Sequence, residues 1–144
     1  LQKTLIEMVK PGVSMDELQK FAIRNLTELM IDENVLKGTK DKLISDKEYA
    51  KYYPHGVGHW LGMDVHDAGL SKIRGENRPL EAGMCITIEP GVYFPANDKA
   101  VPANLRGLGI RIEDNIAVTA DGCENLTHET PKEIDELEAL IGKA

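Results

Sequence analysis

The hydrophobic period changes from helical to strand-like near the middle of this chain and back before its end, and those changes limit the folds open to it. Before about position 55 the apolar residues recur at helical spacing; after it they alternate as in strands until a closing helical stretch. Leu1, Leu5, Met8 and Val9 mark the end of an amphipathic helix over residues 1 to 9. Pro11-Gly12 breaks it. Ser14 opens a capping box with Glu17, and Met15, Leu18, Phe21, Ala22, Leu26, Leu29 and Met30 continue with a period near 3.6. The spacing predicts a helix from Met15 to about Asp32. A mostly polar stretch, 33 to 54, is expected to hold one short helix, Asp46 to Tyr53, ending before Pro54. Met84 to Glu89 is a β-type run that stops at Pro90-Gly91. Residues 94 to 102 read as a loop, and Gly109 to Thr119 as a single strand. Asp121-Gly122 is a turn signal, after which Cys123 to Leu126 pairs back as a hairpin. Lys132 to Ile141 carries Ile134, Leu137, Leu140 and Ile141 on one helical face. Helices, then a mostly antiparallel sheet, then a helix argue an α+β domain over residues 1–144, with no internal repeat or linker.

Several function classes drop out on charge and composition. The 144 residues carry a formal net charge of −7 and no basic run, which excludes a nucleic-acid surface. No apolar stretch approaches the roughly 20 residues of a membrane span. The start, Leu1-Gln2-Lys3-Thr4, lacks the pattern of a secretory signal. Cys85 and Cys123 have no metal-type spacing, which fits a reducing compartment and a cytoplasmic protein. The chain opens without Met, inside what reads as a helix under way, so an upstream part is expected.

Chemistry concentrates in three islands. The first runs from His55 to Asp67 and holds three of the four histidines among glycines at 56, 58 and 62. Histidine is the commonest metal ligand and titrates near neutral pH. The second is Thr87-Ile88-Glu89-Pro90-Gly91, where a carboxylate closes an apolar strand. Buried there, Glu89 needs a cation, a proton or a hydrogen-bond network. The third is Ile110-Arg111-Ile112-Glu113-Asp114, whose alternation puts Arg111 and Glu113 on one face. Together His59, Glu89 and Glu113 offer one nitrogen and two carboxylates, a set suited to a divalent ion such as Mn²⁺, with Co²⁺, Fe²⁺ or Zn²⁺ as alternatives. Three side chains cannot fill two coordination spheres, so a second ion requires ligands from elsewhere.

In this order the islands resemble the signatures of the aminopeptidase P and prolidase group of "pita-bread" metallopeptidases. Pro11-Gly12-Val13-Ser14 and the closing helix from Pro131 are similar too, so the resemblance covers nearly the whole chain. It implies the C-terminal portion of a pita-bread fold, a mostly antiparallel curved sheet with flanking helices. It implies two divalent ions in the parent. His59 resembles the imidazole ligand of one ion, Glu89 a terminal ligand and general base, and Glu113 the carboxylate bridging both. His55 and His66 resemble substrate-binding and proton-transfer residues, and Arg111 the arginine that orients a ligand. Two further aspartates of the group lie on an upstream hairpin, and nothing in residues 1 to 54 matches it. Asn115 stands where many relatives have an acid.

The implied activity is metal-assisted hydrolysis of the bond between an N-terminal residue and a following proline. The implied substrate is a peptide with proline second, and a homo-oligomeric parent is compatible with the resemblance. The residues present here are expected to bind metal weakly and to turn over no substrate by themselves. Trp60 favours aminopeptidase P over a dipeptide-cleaving prolidase. A non-catalytic pita-bread binding module is disfavoured because His59, Glu89 and Glu113 are all kept. A methionine aminopeptidase fits the His55–His66 block less well.

Overall fold

A computed structural model of the chain describes residues 1–142. Helix α1 (Gln2–Met8) leads through the Pro11-Gly12 turn into α2 (Met15–Asp32). The Ser14 side chain accepts from the Glu17 amide and the Glu17 carboxylate accepts from the Ser14 amide, so the capping box closes in both directions. We expect Ser14→Ala to lose about 1 kcal/mol of stability in urea melts, the usual worth of such a cap. Leu18, Ala22, Leu26 and Met30 of α2 are buried. Leu29, expected on the same stripe, is 42% exposed and lies beside an apolar cleft lined by Val92, Leu108 and Ile110.

The polar stretch after α2 departs from expectation. It forms α3 (Lys40–Ser45), which buries only Leu43, and then a single 3₁₀ turn, Glu48–Lys51, inside the expected Asp46–Tyr53 helix. One buried residue in six leaves no readable period. Ion pairs Lys40–Glu28 and Arg24–Asp41 tie α3 back to α2. Tyr52 and Tyr53 then enter the core at 1% exposure. Each finds a partner for its hydroxyl: Tyr52 donates to Asp98 and Tyr53 to the Gln19 side chain. Burial pushes the Tyr53 hydroxyl well above its ordinary pKa.

A small exposed hairpin, β1 (Lys72–Ile73) and β2 (Glu76–Asn77), turns through Arg74 and Gly75, both at positive φ. The main strands follow as β3 (Cys85–Ile88), β4 (Gly91–Tyr93), β5 (Gly109–Arg111), β6 (Asp114–Val118) and β7 (Cys123–Asn125), and α4 (Ile134–Leu140) closes the described chain. All strand pairs are antiparallel: β3 with β6, β6 with β7, and β4 with β5. The expected single strand from Gly109 to Thr119 is therefore two strands, β5 and β6, in two sheets. The opposite side is broken at the same level, between β3 and β4. Pro90 has no N–H to give to a ladder, which interrupts pairing there. Ile86, Ile88 and Ile116 are fully buried, and α1 packs against β3 and β7, with Leu5 of the helix and Val9 just past its end buried.

Candidate metal centre

The double break builds the site. Ile88 pairs with Asp114 on one side of the gap, and Gly91 with Arg111 on the other. One register runs through both sheets, so Glu89 stands opposite Glu113 and Pro90 opposite Ile112. Like charges facing each other across an antiparallel pair repel. Glu89 is also buried, with 7% exposure. Two facing carboxylates, one of them dry, call for a positive partner.

His59 arrives from a segment that is not a regular strand but behaves as one. The Glu89 amide donates to the Val57 carbonyl, the Thr87 amide to the His59 carbonyl, and the Leu61 amide to the Cys85 carbonyl. Residues 57–61 thus run antiparallel along the outer edge of β3. Gly58 permits the approach, because a Cβ there would lie 1.8 Å from the Thr87 carbonyl oxygen. The start of the segment is held by Gln19, whose side-chain oxygen accepts from both the Val57 amide and the Tyr53 hydroxyl.

The ligand atoms of His59, Glu89 and Glu113 lie within 4.8 Å of one another, and no other such His/Cys/Asp/Glu group occurs among the described residues. His59 Nδ1 donates to the Trp60 carbonyl at 2.9 Å. A carbonyl only accepts, so Nε2 keeps its lone pair. That lone pair lies 3.2 Å from Glu89 Oε1, itself an acceptor. Two acceptors at this distance need a proton or a cation between them. The donor set, one imidazole nitrogen and two carboxylates, fits a divalent ion.

Around the cluster the other expected residues take distinct places. Arg111 Nη1 lies 3.4 Å from Glu89 Oε2, and its Nε donates to the Tyr93 hydroxyl. Tyr93 in turn lies 3.0 Å from His55 Nε2. His55 Nδ1 donates to the Gly56 carbonyl, so Nε2 accepts the Tyr93 proton. The His55 ring meets Tyr53 and Tyr93 edge-on. His66 is exposed, with its ring centroid 4.1 Å from that of His59. It is brought there because the Asp67 amide returns to the Trp60 carbonyl. Sequence reasoning missed Tyr93 and gave Thr87 and Asp114 no role. The even spacing of Thr87 and Glu89 along a strand was a usable signal for Thr87. Nothing in the sequence pairs Tyr93 with Arg111.

Comparison with known proteins bears on the family and the fold. A Haemophilus influenzae Xaa-Pro aminopeptidase is 45% identical over 140 residues, 97% of this chain and 32% of that protein. An aminopeptidase structure from Pseudomonas aeruginosa superposes with a TM-score of 0.92 at 40% identity, covering 96% of this chain and 31% of the other. Escherichia coli aminopeptidase P with the inhibitor Pro-Leu gives 0.89 at 39% identity, again covering 96% and 31%. The fold is thus the α+β pita-bread fold of these neighbours. The chain spans about a third of the length of the relatives it matches. Residues 1–120 match the metallopeptidase family M24, and the chain belongs to that family.

Proposed function

We propose that these residues are the C-terminal, metal-binding part of an Xaa-Pro aminopeptidase that removes an N-terminal residue preceding proline. The observation that carries the reading is the pair of facing carboxylates, Glu89 and Glu113, with the His59 Nε2 lone pair aimed at them. The names of the relatives point to the same reaction. His59 Nε2, Glu89 Oε1 and a Glu113 oxygen would hold a divalent ion, Mn²⁺ by preference. Further carboxylates from chain beyond these residues would complete a two-ion centre. When bound, such ions supply Lewis acidity toward the amide carbonyl and a more acidic water.

This chain's own groups supply the rest. Glu89 Oε2, steered by Arg111, takes the proton from the attacking water and returns it to the leaving nitrogen. His66, at the exposed mouth, donates to the carbonyl oxygen as negative charge builds there. His55 and Tyr93 orient the peptide beside the scissile bond. Proline as the second residue matters because its amide nitrogen is tertiary and has no N–H to present. A cytoplasmic setting suits the two free thiols, Cys85 and Cys123.

Two measurements test the reading. Mn²⁺ titration of the chain, followed by electron paramagnetic resonance, is expected to show a site that His59→Ala weakens at least tenfold. Hydrolysis of an Xaa-Pro tripeptide by the longer protein is expected to fall at least 10³-fold in Glu89→Gln, in line with loss of a general base and a ligand together. Equal binding by wild type and His59→Ala would sink the metal assignment.

A further inference from the structure

Glu89 has two carboxylate oxygens and is asked to do two things, hold a cation and move a proton. Something must decide which oxygen does which. Thr87 sits two residues before Glu89 on β3, so both side chains leave the same face, while Ile86 and Ile88 enter the core on the other. The Thr87 side chain is buried, at 1% exposure. Its hydroxyl accepts from the His59 main-chain N–H at 3.0 Å. That contact occupies a lone pair and turns the hydroxyl's one proton elsewhere. The proton goes to Glu89 Oε1, also at 3.0 Å. Burial leaves little water to compete for either contact.

The consequence for Glu89 follows from counting lone pairs. On Oε1, one lone pair receives the Thr87 proton and the other faces His59 Nε2. Oε2 faces Arg111 Nη1. We propose that the Thr87 hydroxyl is a positioning group that locks the Glu89 carboxylate, committing Oε1 to the cation beside His59 and leaving Oε2, with Arg111, for the proton. The same hydroxyl grips the main chain of His59, so one buried O–H sets the relative placement of two ligand residues that are 30 positions apart. This rests on the metal reading above and adds to it a residue that touches neither the ion nor the substrate.

The test compares Mn²⁺ binding by wild type, Thr87→Val, Thr87→Ser and His59→Ala, read by electron paramagnetic resonance. Far-UV circular dichroism and urea midpoints verify folding. Valine keeps the shape and removes the hydroxyl; serine keeps the hydroxyl and removes the methyl. Partners that orient ligands typically carry 10–100-fold in metal affinity. We expect Thr87→Val to bind Mn²⁺ about tenfold more weakly, with an altered Mn²⁺ line shape, and Thr87→Ser to stay within about threefold of wild type. If valine does not fold at this site, Thr87→Ala makes the same comparison. Wild-type affinity in the folded valine or alanine variant overturns the proposal while leaving the metal reading intact. So does a serine variant as weak as valine, because packing of the methyl would then be the cause. If wild type binds no better than His59→Ala, the metal reading itself fails, and this inference fails with it.

Discussion

Replacing Asp114 by alanine is expected to remove roughly 3 kcal/mol of folding stability, the lower end for breaking a buried ion pair by deleting one partner. Asp114 is 1% exposed. Its Oδ1 accepts from Thr127 at 2.6 Å and from Lys132 at 2.9 Å, and its Oδ2 accepts from Gln2. Lys132 also donates to the Thr127 and Thr130 carbonyls, both at 2.8 Å. One carboxylate therefore fastens the start of α1, the first residue of β6 and the turn ahead of α4. Without it, a largely buried ammonium keeps only two carbonyls, Gln2 loses this acceptor, and the Thr127 hydroxyl keeps only the longer contact to Asn125 Oδ1 at 3.3 Å. The lower end applies because the Lys132 side chain retains 20% exposure and water can partly replace the lost anion. Urea denaturation should show a lower midpoint at an unchanged slope.

Acid should narrow that difference. Burial alone would raise the Asp114 carboxyl, but hydrogen bonds from Thr127, Lys132 and Gln2 outweigh it and hold the group below its ordinary value. A depressed folded pKa adds stability that is complete above the unfolded value, near 3.9 for aspartate. The contribution drains away as pH falls through the folded value. The gap between wild type and Asp114→Ala should thus narrow below about pH 4 and stay flat from there to neutrality. A variant within 0.5 kcal/mol of wild type at pH 7 would mean the network carries no weight; exposed pairs such as Lys42–Asp46 sit near that level.

Helices α1 and α2 were legible because their signals are local, whereas α3 buries one residue in six and gave no period to read. The capping box and the 3.6 period name both ends of α2, and Pro11-Gly12 names the end of α1. What failed among the strands was non-local. No residue between Gly109 and Thr119 announces that the strand changes partner at Ile112-Glu113, since the cause lies across the gap at Pro90. β4 was hidden for the same reason: a proline-glycine pair ends strands far more often than it bridges two of them. The β1–β2 hairpin is exposed throughout and shows no alternation to read.

For the site, residue types were visible and geometry was not. His59, Glu89 and Glu113 could be named from islands in the sequence, and the fold brings their ligand atoms within 4.8 Å. The sequence could not say that Glu89 and Glu113 face each other in register, or that the Trp60 carbonyl dictates the His59 tautomer. Tyr93 was missed because its partners, His55 and Arg111, lie 38 and 18 residues away. Such contacts are set by strand pairing, which is a property of the whole sheet.

The Gly58→Ala variant is expected to weaken Mn²⁺ binding about 100-fold, near 2.8 kcal/mol, although the methyl is added to a residue that carries no ligand atom. A Cβ at Gly58 would sit 1.8 Å from the Thr87 carbonyl oxygen and 2.8 Å from its carbon, both main-chain atoms. Main chain cannot rotate away as a side chain can, and β3 is held on its other edge by four register pairs with β6. The strain must therefore fall on residues 57–61, which pair with β3 along one edge and are otherwise held only by single contacts such as Gln19 to the Val57 amide and the Asp67 amide to Trp60. Restoring ordinary van der Waals contact, at about 3.5 Å, pushes that segment outward by more than about 1 Å. His59 moves with it, so Nε2 leaves Glu89 Oε1 and the Thr87 hydroxyl loses the His59 amide. The same motif holds its own control. A Cβ at Gly56 would meet the Gly58 carbonyl oxygen at 3.5 Å, an ordinary contact, so Gly56→Ala should bind Mn²⁺ within about threefold of wild type. If Gly58→Ala binds as tightly as Gly56→Ala, the pairing of residues 57–61 with β3 is not what places the imidazole.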